Sequence, residues 1–117
     1  MKIDILFIHP NASKIIYQDL SKRHSAIEPP IWAGMLANHC RNRNFNVEIL
    51  DCEVLNLDPE QSAKDIAATK PKIACYVVYG QQPSASSQNM EGAILSAKIL
   101  KNNNPEIKIL FVGGHIA

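Results

Sequence analysis

IKILFVGGHIA, residues 107–117, is the stretch that decides the fold. Ile107 to Val112 is interrupted only by Lys108 and otherwise runs in large apolar residues, as a strand covered on both faces of a parallel sheet does. It ends in Gly113-Gly114, a pair that lets a backbone come close to something. Just upstream, Asn102-Asn103-Asn104-Pro105 stops a helix. That helix carries Met90, Ala93, Ile94 and Ala97 at helical spacing and is predicted to begin among Ser84, Ser86 and Ser87.

Working back from this strand, the same alternation recurs. KIACYVVY (72–79) and KIDILFIH (2–9) are further buried strands, whereas Glu48 breaks the apolar run of NVEIL (46–50) and marks it as an edge strand. Pro29-Pro30 opens a first helix, with Ile31, Met35, Leu36 and His39-Cys40 following on one side and Asn42 and Asn44 ending it. Asp58-Pro59-Glu60-Gln61 reads as a capping box, in which Asp58 caps, Pro59 takes the first helical position and Gln61 reaches back. Ala63, Ile66 and Ala67 form the apolar face that follows.

Strands alternating with helices through right-handed crossovers give a doubly wound parallel α/β sheet. With the polar second strand at one edge, the predicted order is 2-1-3-4, the flavodoxin-like arrangement, in one domain spanning residues 1–117. An apolar fourth strand at the other edge needs a cover. The expectation is a fifth strand in a longer chain, or a partner chain lying against that edge.

Composition narrows the function classes. The net charge of +1, with scattered Lys and Arg, leaves no footprint for nucleic acid. No apolar run reaches membrane-spanning length, and no cleavage site follows the first strand, so a cytoplasmic protein is expected. Cys40, Cys52 and Cys75 are odd in number and form no C-x-x-C pair, which reads as reduced core cysteines. His9, His24, His39 and His115 show no metal-ligand spacing, and His39 reads as structural.

Open parallel sheets bind ligands beyond the carboxyl ends of their strands. That rim collects HPNAS (9–13), DCE (51–53), YGQQPSAS (79–86) and GGHIA (113–117). The connection from His9 to Glu28 is about twenty residues, against roughly two to six for most such loops. It is either a binding loop, with Ile15, Ile16 and Tyr17 packing over a ligand, or a cover for the sheet end. Gln81, Gln82, Ser84, Ser86, Ser87, Gln88 and Asn89 form an uncharged set that both donates and accepts hydrogen bonds. Such groups suit a large neutral or amide-fringed ligand, although one of the serines is accounted for as a helix cap.

Taken in order, KIDILFIHP, EPP (28–30), NVEILD (46–51), the capped second helix, YGQQPSAS and IKILFVGGHIA resemble the amino-terminal cobalamin-binding domain of cobalamin-dependent radical S-adenosylmethionine enzymes. The resemblance covers essentially the whole chain. It implies a corrin ring held over the carboxyl edge and a nucleotide tail entering beside the third and fourth strands. Tyr79, Gly80, Gln81, Gln82, Ser84 and Ser86 would then line the tail and corrin edge. Gly113 and Gly114 would let the tail pass, with His115 beside them, and Asn11 and Glu28 would face the ring. The D-x-H-x-x-G motif that supplies a cobalt-binding His in other cobalamin domains is absent, its place reading HPNASK (9–14). The C-x-x-x-C-x-x-C motif for a [4Fe-4S] cluster is absent too. The resemblance therefore implies a piece without catalysis of its own, with S-adenosylmethionine and the cluster held by a downstream radical domain of methyltransferase or related type.

Two rivals stand beside it. A receiver-like module would need acidic residues where His9-Pro10 and Tyr79-Gly80 stand, and an FMN site would need a richer phosphate loop than HPNAS. A flavodoxin-like scaffold that binds no cobalamin and pairs its fourth strand with another protein is the alternative from a different class.

Overall fold

The computed structural model describes residues 2–11, 31–78 and 83–113, with residues 83–89 described by backbone alone. Its elements run β1 (Ile5–His9), α1 (Ile31–Arg41), β2 (Val47–Asp51), α2 (Pro59–Thr69), β3 (Ile73–Val78), α3 (Pro83–Asn103) and β4 (Lys108–Gly113). The four strands are parallel in the order 2-1-3-4, the arrangement predicted from the polar β2 and the apolar remainder. This is a flavodoxin-like α/β sheet.

Period-two alternation divides the apolar strands between two cores. Leu6, Ile8, Ala74, Tyr76 and Val78 face one side, where Ala63 and Ile66 of α2 and Ala93, Ala97 and Leu100 of α3 cover them. Phe7, Cys75 and Val77 face the other, against Ala33 and Ala37 of α1. β1 and β3 are central and almost wholly buried, whereas β2 and β4 are partly exposed edges. Leu110 of β4 is 51% exposed, so the anticipated apolar edge is present among the described residues.

Helix boundaries follow local chemistry. Asp58 accepts the Gln61 N–H at 2.7 Å with Pro59 in the first turn, an arrangement worth about 1 kcal/mol. Gln61 does not complete the box. Its side-chain amide donates to Asp65 at 2.9 Å, a partner one turn ahead. The left-handed Lys70 (φ 49°) closes α2, and the left-handed Asn44 (φ 73°) follows the end of α1. α3 begins at Pro83, ahead of the serines expected to start it.

Two helix faces differ from the pattern read in the sequence. In α1 the buried residues are Ala33 and Ala37, with Leu36 and Cys40 beside them, while Ile31, Met35 and His39 lie exposed. A helix lying close over Phe7 and Val77 requires small side chains at the contact. In α3, Ile94 is exposed, and the covered stripe runs Ala93, Ser96, Ala97 and Leu100. Cys40, Cys52 and Cys75 are free thiols, and burial pushes Cys52 up to about 12 and Cys75 to about 11. Both therefore stay neutral at physiological pH.

Candidate functional site at the carboxyl rim

Parallel pairing sends every strand to the same edge, so the carboxyl rim gathers the ends of β1 and β2, the turn after β2, and the tip of β4. His9, the last residue of β1, is buried, and its Nε2 lies 3.4 Å from the equally buried Glu53 of the turn. The Cys52 N–H donates to the His9 carbonyl at 2.9 Å, tying the same two segments through the backbone. Asn11 adds a third tie. Its side-chain amide donates to Asn56 Oδ1 at 3.1 Å and to the Leu57 carbonyl at 3.2 Å. Residues 51–57 wind into a compact turn, with Leu55 N–H on Asp51 O, Asn56 N–H on Glu53 O and Leu57 N–H on Cys52 O. Asn56 takes the left-handed conformation there (φ 54°).

This winding turns two large apolar side chains outward. Val54 is 63% and Leu55 57% exposed, at the edge where an α/β sheet takes its ligand. The neighbouring carboxylates are all engaged locally. Asp51 accepts the Val54 N–H at 3.2 Å, Glu53 faces His9 and Asp58 caps α2. An apolar shelf whose acids are turned to local partners fits a broad, amide-fringed macrocycle better than it fits a polyphosphate.

Below the shelf the sheet packs against α2 and α3. A cavity of about 10 Å³, room for about one water, lies among Asn11, Cys52, Ser62, Tyr76 and Ser96. Ser96 Oγ bridges Ser62 Oγ and the Tyr76 hydroxyl, each at 2.8 Å, and Ser62 also donates to the Pro59 carbonyl at 2.9 Å. Burial pushes the Tyr76 hydroxyl from near 10 up to about 12. The proton that the network needs is thus present at neutral pH, and its contribution to stability is lost as pH rises from 10 towards 12. Tyr76 also stacks on Phe111 of β4, with ring centroids 5.1 Å apart. On the other sheet face no described helix covers β4, where Lys108 and Leu110 are exposed among the described residues.

Gly113 shows what the glycine pair at the strand tip comes close to. Its φ of +151° is closed to other residues, and a Cβ built on it would meet the Val78 carbonyl oxygen at 2.1 Å. The close approach is made by β3, its partner in the sheet.

Of the residues singled out in the sequence, Asn11 and Gly113 stand at this rim, Asn11 with its amide committed to Asn56 and Leu57. Ser84 and Ser86 lie in the first turn of α3, by backbone alone. Glu28, Tyr79, Gly80, Gln81, Gln82, Gly114 and His115, with most of the long first connection, lie outside the described residues. Sequence reading missed Val54-Leu55, whose signal is a large apolar pair in a turn, and the Ser62–Ser96–Tyr76 bridge. Among the described residues no three His, Cys, Asp or Glu side chains group to hold a metal ion. No described helix is long and apolar enough to cross a membrane.

A family model described as a B12 binding domain matches residues 23–117. No curated protein and no solved structure matches the chain. With most of its length inside that match and the sheet order such a domain requires, the chain belongs to the B12-binding domain family.

Proposed function

We propose that this chain is the cobalamin-carrying domain of a cobalamin-dependent radical S-adenosylmethionine enzyme. In that reading it presents the corrinoid to a catalytic domain that holds S-adenosylmethionine and a [4Fe-4S] cluster. The observation that carries the cobalamin part is the exposed Val54-Leu55 shelf with its engaged carboxylates, on a family-typical sheet. The radical part rests on the ordered sequence resemblance from KIDILFIHP to GGHIA, together with HPNASK where a cobalt-binding His motif would stand.

Bound cobalamin supplies the cobalt–carbon chemistry of methyl transfer or rearrangement. The protein's part is to seat it. Val54 and Leu55 offer apolar contact to the macrocycle, and Asn11 holds the turn that displays them. Glu28, Tyr79, Gly80, Gln81, Gln82, Ser84, Ser86, Gly114 and His115 are the residues to which contacts with the ring fringe and tail are assigned. The exposed Lys108 and Leu110 of β4 favour tail entry on the side away from the α2–α3 cavity.

Titrating the chain with hydroxocobalamin and with FMN separates this reading from a flavodoxin-like one. Cobalamin is expected to bind and FMN not to. Replacing Val54→Glu and Leu55→Glu together is expected to weaken cobalamin about tenfold or more, since each side chain loses apolar contact and adds a charge. Unchanged affinity in that variant would show that Val54 and Leu55 do not seat the corrinoid.

A further inference from the structure

The opposite edge of the sheet carries a second feature, unrelated to the rim. Lys2, Lys70, Lys72 and Lys108 line an open groove of about 560 Å³ floored by Pro71 and Ile107. The backbone brings them together. The Lys72 N–H donates to the Ile3 carbonyl and the Lys108 N–H to the Lys72 carbonyl, both at 3.1 Å, extending the ladder past the strand starts. Lys70 arrives from the left-handed cap of α2.

Charge here exceeds its local neutralisation. Lys72 pairs with Asp4 at 3.2 Å, and Glu106 also lines the groove. Lys2, Lys70 and Lys108 make no ion pair among the described residues. All four lysines are exposed, in a chain whose net charge is only +1. Phosphate sites of the nest type use free backbone N–H groups. Here the N–H groups of Lys72, Ile73, Ile107 and Lys108 all donate within the chain. What remains is a set of separate, flexible ammonium arms, suited to carboxylates spaced along a polypeptide rather than to one compact phosphate.

We propose that this amino-edge groove docks an acidic polypeptide segment of a protein partner. Carboxylates of the segment meet Lys2, Lys70 and Lys108 along the groove. The site lies a strand length, about 20 Å, from the rim, so docking leaves the rim free. The proposal does not depend on cobalamin.

The test is fluorescence anisotropy of a fluorescein-labelled peptide of alternating Glu and Leu, titrated with the 117-residue chain. Binding is expected at about 50 mM salt and is expected to weaken about tenfold or more by about 300 mM. A Lys70→Glu, Lys108→Glu variant is expected to lose binding by about tenfold or more. A Lys64→Glu, Lys98→Glu variant, with the same charge change outside the groove, is expected to stay within about twofold of the parent. Circular dichroism verifies that each variant is folded. No binding at low salt, or equal losses in the two variants, overturns the proposal. Preferential, groove-dependent binding of phosphatidylserine vesicles or of an RNA oligonucleotide overturns it as well.

Discussion

Gly113→Ala is expected to destabilise the domain by roughly 2–4 kcal/mol in urea unfolding, without any cofactor present. Two independent causes combine. The φ of +151° strains any residue with a side chain, and the added methyl would stand 2.1 Å from the Val78 carbonyl oxygen. That neighbour is backbone in the partner strand, so relief requires the tip of β4 to move away from β3. Because Tyr76 and Phe111 stack two residues before that pair, part of the loss should appear as altered near-ultraviolet circular dichroism. An alanine variant as stable as the parent would show that the Val78–Gly113 register is wrong.

Ser96→Ala should have the next largest effect, a loss of about 2–3 kcal/mol. The serine is 2% exposed, and its oxygen is the bridge between Tyr76 and Ser62. Its removal strips the buried Tyr76 hydroxyl of that hydrogen bond, whereas Ser62 retains the Pro59 carbonyl. Tyr76→Phe should lose only about 1 kcal/mol, because the phenyl ring keeps its packing on Phe111. The double variant should then lose clearly less than the sum of the two, as neighbours sharing one bond do. Strict additivity in urea melts would mean that the two hydroxyls do not interact.

These two sites mark what a linear reading can reach. Strand order was legible because Glu48 spoils one apolar run and the others are intact, and the α2 start because Asp58-Pro59 has one good use. The buried face of α1 was not. Hydrophobicity favours Ile31 and Met35 over Ala33 and Ala37, but the contact with Phe7 and Val77 selects for small size, which only the sheet beneath reveals. Ser96 was hidden for a similar reason. A serine on a core-facing stripe looks like a flaw until Tyr76 and Ser62 arrive from other elements. Gln61 chose Asp65 over the backbone, a competition between near-equal partners that spacing does not decide.

At the rim, position was legible and contact was not. Parallel topology alone sends His9, Asp51 and Gly113 to one edge. The display of Val54 and Leu55 depends on three-dimensional ties from His9, Cys52 and Asn11, which join residues more than forty positions apart.

Cobalamin binding is read most simply by passing the chain, incubated with hydroxocobalamin, through a desalting column. Red protein carrying about one corrinoid per chain is expected, with affinity reduced about tenfold or more by the paired Val54→Glu and Leu55→Glu changes. Colourless protein, with its circular dichroism and elution volume intact, would contradict it.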